Sequence, residues 1–244
     1  MTITQAILSA GGLGTRLRPF TDTAPKPMIP VMGKPVLEWH IEQFKKHGVK
    51  DFFITLHHLP RIVQDYFGDG SSRGVRIGYA VEKEPLGSAG GIKLFEERLE
   101  DRFYYIYGDT FSLMDYSAMA QSYASRVDPI GMQRVLRADD YADADIAEID
   151  QAGRFTAIHG KPHTEKTQKA YRMRGAFILE KKICDFIQPH IATDLAKQTL
   201  PAVVEAGKNF YGYECDDYSK GIDTDLKLKE VEGYLRTHGI VPWW

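Results

Sequence analysis

Short apolar runs alternate with stretches of helical apolar spacing from the start of the chain to about residue 125. Ala6-Ile7-Leu8 predicts a short buried strand, and Leu37, Ile41 and Phe44, at i, i+4 and i+7, predict a helix that Gly48 stops. Asp51–Leu56 predicts the next strand, and Leu59, Ile62, Val63, Tyr66 and Phe67 make one face of a second helix. Residues 75–81 and 103–107 supply two further strands, separated by a helix that Ser88 is placed to cap and that runs towards Leu99. Four strand–helix units in series predict an α/β fold, doubly wound on a mostly parallel sheet.

Beyond residue 126 the pattern is more strand-like and less regular. Apolar runs at 130–136, 146–149, 155–158 and 176–179 precede short helices around 180–188 and 200–206, which predicts an added, partly antiparallel portion. Without a repeat or linker, residues 1–244 read as a single domain with halves 1–125 and 126–244. Ligands in doubly wound sheets bind outside the carboxyl ends of the strands, so the loops after Ala10, Val81 and Tyr107 are where chemistry is expected.

Charge narrows the partners. Lys and Arg number 31 and Asp and Glu 33, a net charge of −2, so there is no broad positive field for nucleic acid or an anionic membrane. No run approaches the ~18 apolar residues of a membrane span, and no positive charge precedes the first apolar run, so a cytoplasmic protein is expected. Cys184 and Cys215 form neither a CxxC pair nor a zinc spacing, and two buried thiols in a reducing compartment are expected. The eight histidines, His57-His58 included, are expected on surface or loop positions.

The first loop holds Gly11-Gly12-Leu13-Gly14-Thr15-Arg16-Leu17-Arg18-Pro19, where small residues let backbone N–H groups approach an anion. A flexible turn would explain the glycines but not the Thr-Arg that follows them. Leu17 stands where the dinucleotide fingerprint needs glycine, and Thr15-Arg16-Leu17 replaces the Gly-Lys-Ser/Thr of a P-loop. Pro25-Lys26-Pro27 either forms a surface turn or presents a cation on a rigid loop. Residues 84–91 suit either a flat ring lying on backbone or close helix–strand packing. Gly108-Asp109 ends the fourth strand, and Asp223 stands in Gly221-Ile222-Asp223-Thr224; the two carboxylates are helix caps or a magnesium-binding pair. His159-Gly160-Lys161-Pro162 carries another Lys-Pro in the second half, where a surface turn is the default. No Ser/His/Asp order, HExxH or cysteine ligand set stands out.

Taken in order, residues 11–21 and 25–27 resemble the opening motif of the sugar-1-phosphate nucleotidyltransferases, Gly-Gly-x-Gly-Thr-Arg-Leu-x-Pro-x-Thr followed by Pro-Lys-Pro. The likeness continues through 84–91, Gly108-Asp109, 160–162, Gly175-Ala176-Phe177 and 221–224. It implies that Gly11, Gly12, Gly14 and Thr15, with Arg16, hold a nucleoside triphosphate, that Lys26 faces the reacting phosphates and that Gly87 lies near the base. It further implies that Asp109 and Asp223 bind Mg²⁺ and that Lys161, with Gly175, meets the sugar phosphate. The implied reaction is attack by a phosphate oxygen of a sugar 1-phosphate on the α-phosphorus, with pyrophosphate leaving and no protein nucleophile.

Three departures stand out. Many family members carry Glu, which contacts sugar hydroxyls, where this chain has Gly160; a glycine common before the preceding strand is replaced by Asp145; and the family's downstream Asp-x-Gly-Thr is here Gly-Ile-Asp-Thr. The loss at 160 implies one hydroxyl anchor fewer and more recognition by Lys161. The resemblance is to the short form of the family, so no β-helix domain like that of longer relatives is expected. Glu-Pro-Leu-Gly with Ser-Ala-Gly most resembles guanylyltransferases of mannose or manno-heptose phosphates, which favours GTP, with Glu82 or Glu84 as acceptors for the guanine edge. Tyr107-Gly108-Asp109 and Pro242-Trp243 are instead similar to glucose-1-phosphate cytidylyltransferases, so cytidylyl or uridylyl transfer is the alternative. A non-catalytic nucleotide-binding regulator is a third reading, opposed by the retention of Arg16, Lys26, Asp109 and Asp223. A dinucleotide oxidoreductase fails on Leu17.

Overall fold

In the computed structural model, which describes residues 1–137, 144–162 and 170–241, the first apolar run forms the strand Gln5–Ser9, with Ala6, Ile7 and Leu8 fully enclosed. Pro242-Trp243 lies outside the described residues. The helix Val36–Lys46 buries Val36, Leu37, Trp39, Ile41 and Phe44, and the chain turns away from it through Gly48 at φ 91°. Asp51–Leu56 is a strand as expected, and the helix Pro60–Phe67 begins with proline in its first turn, where no N–H is missed. Arg76–Val81 and Arg102–Tyr107 complete the four strands predicted from the pattern. The chain is thus mixed α/β, and it divides into two compact units whose segments interleave: Met1–Gln5, Leu86–Tyr105 and Tyr116–Asp216 in one, Ala6–Pro85, Ile106–Asp115 and Asp217–Trp244 in the other. Each unit draws segments from both sides of residue 125.

The unit containing the glycine loop carries Gln5–Ser9 beside Asp51–Leu56, which runs parallel to Arg76–Val81 with Phe52 opposite Ile77 and Ile54 opposite Tyr79. Its second layer is a cluster of Leu17, Ile29, Val31, Val36, Trp39, Phe111, Ile222, Val231 and Leu235. Trp39 and Phe111 meet edge to face at 5.4 Å, a geometry favoured by the ring quadrupoles. Val231 and Leu235 come from the helix Asp225–Thr237, which the hydrophobic pattern did not announce because only those two side chains, four apart, are buried along it. A short antiparallel ladder pairs Thr110–Ser112 with Ser219–Gly221 and ties this C-terminal segment to the end of the fourth strand.

The other unit is largely antiparallel, as the irregular second half implied. Ala170–Glu180 pairs antiparallel with Pro129–Arg137 and with Ile146–Ile149, and the latter pairs antiparallel with Phe155–His159. Asn209–Glu214, which the sequence pattern missed, runs parallel to Pro129–Arg137. The expected strand at 176–179 is longer at its start because Tyr171, Arg172, Met173 and Arg174 continue it half-buried, and its register shifts between Met173 and Phe177, the stretch that contains Gly175.

Ser88 does not cap its helix. The helix spans Gly87–Lys93, so Ser88 is its second residue; its hydroxyl donates to Asp194 Oδ2 at 3.1 Å and accepts the Leu195 N–H at 2.8 Å. The run towards Leu99 also breaks after Lys93 into a single 3₁₀ turn, Glu96–Arg98. Cys184 is buried but Cys215 is only half-buried, its Sγ accepting from Arg134 Nε at 3.2 Å, and both are free thiols.

Phe111 is wholly enclosed and locks the ladder strand against Trp39. Phe111→Ala should therefore cost about 3–5 kcal/mol of unfolding free energy, read from the urea midpoint at constant m.

Candidate active site

The glycine loop leaves the first strand and is shaped by backbone geometry before any side chain enters. Gly14 sits at φ +61°, and a Cβ there would lie 2.8 Å from Thr21 Cγ2 and 3.0 Å from Lys26 Cβ, so both conformation and space demand glycine. Its carbonyl accepts the Leu17 N–H at 2.9 Å and the Thr21 hydroxyl at 3.0 Å, which folds Thr15–Leu17 into a 3₁₀ turn. Gly12 has open space where a Cβ would stand, whereas Gly11 backs onto the buried Glu82 carboxylate, 3.4 Å from the nearest oxygen. The second cation-bearing segment, Lys26–Met28, is another 3₁₀ turn, closed by Met28 N–H to Pro25 O at 2.8 Å and Ile29 N–H to Lys26 O at 3.1 Å.

The ladder described above delivers the carboxylates. Asp109 follows Gly108, whose Cβ would strike Ser9 O at 2.6 Å, and the Asp109 carbonyl accepts the Ile222 N–H at 2.8 Å, fixing residue 223 beside residue 109 in the fold. Asp223 precedes Thr224, which caps the helix Asp225–Thr237 by accepting the Lys227 N–H at 3.3 Å. Gly12, Gly14, Thr15, Arg16, Leu17, Lys26, Asp109 and Asp223 line one cavity of about 220 Å³.

Three ion pairs organise that cavity. Lys26 Nζ lies 2.7 Å from Asp109 Oδ2, the lysine side chain only 9% exposed and the aspartate 47%. Arg16 Nη1 lies 2.7 Å from Asp223 Oδ2, and Lys227 Nζ lies 2.7 Å from Asp223 Oδ1. Burial alone would raise the Asp223 carboxyl, but the Lys227 hydrogen bond and charge, then Arg16 and Lys26, hold it below the usual carboxylate range. Asp223 is therefore ionised at neutral pH.

Gly87, Lys161 and Gly175 lie in the other unit. Gly87 has φ +73°, and its Cβ would meet the Thr193 carbonyl at 2.6 Å; the Cβ of Gly90 would meet the Ile191 carbonyl at 3.0 Å. With Ala89 N–H donating to Thr193 O at 2.9 Å and Thr193 N–H to Leu86 O at 2.9 Å, these glycines pack closely against the 191–193 segment, which is a loop and not the strand expected of helix–strand packing. Lys161 is exposed on the turn after Phe155–His159, and Gly175 is buried in the register shift of its strand. Tyr107 is half-buried at the end of its strand.

Sequence reasoning missed His40. It was expected at the surface, yet it is fully buried in the helix Val36–Lys46, with no hydrogen-bond partner in geometry for either ring nitrogen among the described residues. Burial drives its pKa down to about 4 against the smaller opposing effects of the Thr110 backbone and the Asp109 charge. Only the helical period, which places residue 40 next to the apolar positions 37, 41 and 44, could have signalled this. His57 and His58 are on a loop as expected, half-buried, with Nδ1 of one 2.9 Å from Glu82 O and Nε2 of the other 2.7 Å from Thr21 O.

The profile described as nucleotidyl transferase matches residues 5–234. The chain belongs to the nucleotidyl transferase family. It is 35% identical over 244 residues to the D-glycero-alpha-D-manno-heptose 1-phosphate guanylyltransferase of Aneurinibacillus thermoaerophilus, covering 95% of this chain and 100% of that protein. It is 29% identical over 226 residues to the UTP–glucose-1-phosphate uridylyltransferase of Synechocystis sp., covering 87% of this chain and 58% of that protein. The chain spans about half to three fifths of the length of several curated relatives. The crystal structure of HddC from Yersinia pseudotuberculosis shares the fold at TM-score 0.77 and 25% identity, over 96% of this chain and 100% of that one. No helix among the described residues of this family member is long and apolar enough to cross a membrane.

The His40 environment has a pH signature. An unfolded histidine titrates near its ordinary 6.5 and the folded one at about 4, so the stability gained by keeping it neutral is complete above pH 6.5 and is lost as pH falls towards 4. Over that window the contribution should amount to about 3 kcal/mol, and His40→Leu should flatten the corresponding part of a urea-stability profile against pH.

Proposed function

We propose that this protein transfers a nucleoside monophosphate from a nucleoside triphosphate to a sugar 1-phosphate, releasing pyrophosphate. The observation that carries the reading is the single cavity onto which the glycine loop, two cations and two carboxylates open. Arg16 and Lys26 are the catalytic residues, placed to neutralise charge on the triphosphate as the bond to the α-phosphorus breaks. Gly11, Gly12, Gly14 and Thr15 give the phosphates backbone to approach. Asp109 and Asp223 would hold Mg²⁺: two carboxylates at one cavity, with phosphate oxygens to complete the shell, match that ion's preference for few protein ligands. Bound there, the ion neutralises phosphate oxygen charge.

The acceptor phosphate supplies its own nucleophilic oxygen, so the chain's work is positioning and charge neutralisation. Cys184 fits that division of labour: burial, then nearby Glu96, pushes its thiol up to about 12, which removes it as a nucleophile at neutral pH. Gly87 is assigned to the nucleotide, and Lys161 with Gly175 to the sugar phosphate, by their places in the family motifs.

GTP is the favoured nucleotide and a mannose or manno-heptose 1-phosphate the favoured acceptor. The name of the Aneurinibacillus relative supports this, as does a buried carboxylate, Glu82, behind Gly11, chemically suited to accept from guanine N1–H and the 2-amino group. Glu84 is exposed and less suited. The missing side chains of Gly87 and Gly90 face the 191–193 backbone and so leave no added width for a purine. Uridylyl transfer, named for the Synechocystis relative, is the second reading. A cytoplasmic location accompanies the proposal, since both substrates are soluble metabolites.

Pyrophosphate release from GTP, UTP, CTP and ATP, each paired with mannose, manno-heptose and glucose 1-phosphates, tests the reading. GTP with a manno-configured acceptor should be fastest; faster release from CTP or UTP with every acceptor overturns the guanylyl assignment, and none with any pair overturns the transferase. Arg16→Ala, at an exposed side chain, and Lys26→Met, which keeps the buried volume, should each lower turnover by about 10²–10³-fold, the usual loss for one such contact, with little change in melting temperature for Arg16→Ala.

A further inference from the structure

Gly160 and Asp145 are cross-strand neighbours. The antiparallel register of Phe155–His159 with Ile146–Ile149 places His159 opposite Ile146, and one step further sets residue 160 opposite residue 145. The same face continues onto the third strand, where the Met173 N–H donates to the Asp145 carbonyl at 2.9 Å. A Cβ built on Gly160 would lie 3.8 Å from Asp145 Oδ1 and 3.9 Å from Lys197 Cγ. The Asp145 carboxylate therefore stands where a side chain at 160 would project, reaching that place from the neighbouring strand.

We propose that Asp145 is the residue that selects for hydroxyl groups on the acceptor, a role that rests on the sugar-phosphate reading of the preceding section. Its Oδ1 accepts the Lys161 N–H at 3.1 Å, which fixes the carboxylate against the 160–161 turn, and no hydrogen bond to Oδ2 occurs among the described residues. A carboxylate so held accepts from an O–H group and cannot attract a phosphate. Lys161, next in the chain after Gly160, and Lys197, whose Cγ lies 3.9 Å from the Gly160 Cβ position, are both exposed and supply the opposite preference. One acceptor oxygen beside two cations fits a phosphorylated polyol: the cations take the phosphate and Asp145 takes a hydroxyl. The two departures noted in the sequence thus become one event, a carboxylate absent at 160 and present across the strand pair at 145. The pocket keeps a hydroxyl anchor, contrary to what Gly160 alone implied.

The test compares the unaltered protein with Asp145→Asn and Asp145→Ala, using mannose 1-phosphate or glucose 1-phosphate, whichever is turned over faster, and the 2-deoxy and 3-deoxy analogues of that acceptor. Asn keeps an oxygen for the Lys161 N–H but offers a donor in place of Oδ2, so it preserves the turn while removing the hydroxyl acceptor. The unaltered protein should prefer the parent acceptor over one deoxy analogue by about 10²-fold or more in kcat/KM, the discrimination expected when a site's polar group is left unpaired. In both variants that preference should fall to within about threefold, through the acceptor KM, with the nucleotide KM unchanged. A preference that persists in Asp145→Asn, or an equal loss on parent and both deoxy acceptors, overturns the role and leaves Asp145 as a turn residue. Failure of the unaltered protein to turn over any nucleotide and sugar phosphate overturns the proposed function and this inference together.

Discussion

The burial of the Lys26 ammonium beside a loop of glycines is the constraint on which the candidate site depends. A lone ammonium at that depth would be strongly penalised, and the Asp109 carboxylate at 2.7 Å makes the position tenable. That requirement propagates. Asp109 must be held where its strand ends, which the Gly108 contact with Ser9 and the Ile222 N–H to Asp109 carbonyl bond accomplish. The same bond brings Asp223 to the cavity, where Arg16 and Lys227 balance it. Gly14 is squeezed between Thr21 and the Lys26 stem, so the loop conformation and the lysine position are set jointly. Because each cation faces a carboxylate, the cavity has the composition of a site for an anion and a cation together, as a metal–triphosphate complex is.

Much of this was legible along the chain. The four early strands were readable because each is a continuous apolar run with glycine or proline at its end, and Arg16, Lys26 and Asp109 because a specific motif surrounds them. What stayed hidden depended on tertiary partners. Asp223 was named by its motif, but the ladder of three residue pairs that brings it beside Asp109 was not, because its strands have no hydrophobic alternation. The helix Asp225–Thr237 buries Val231 and Leu235 and packs a partly buried Leu228 against the same cluster, a stripe diluted in the sequence by Gly233 and many charges. Ser88 resembles a cap in sequence, yet its hydroxyl is used by Asp194 and Leu195, partners more than a hundred residues away that no local pattern reveals.

Glycines divide in the same way. At Gly14 a left-handed backbone beside the Lys26 stem leaves room for glycine alone. At Gly87 and Gly90 the residues are indispensable for another reason: the 191–193 backbone occupies the space a side chain would need. Gly160 is informative through its neighbour, since its missing side chain leaves the face to Asp145. The family motif therefore identifies the phosphate chemistry far better than it identifies base or sugar, because those depend on which atoms line a surface rather than on a backbone geometry shared across the family.

The central claim is that Lys26 and Arg16 are reserved for phosphate and Asp109 and Asp223 for a divalent ion. GTP affinity measured by titration calorimetry in the presence of a chelator, for the unaltered protein and for Asp109→Asn, tests it most directly. Removing a negative charge from the cavity and loosening the hold on Lys26 should make the variant bind GTP several-fold more tightly than the unaltered protein without metal, while added Mg²⁺ should strengthen binding in the unaltered protein far more than in the variant. Weaker binding by Asp109→Asn in chelator, with an undiminished response to Mg²⁺, would contradict the assignment of these charges.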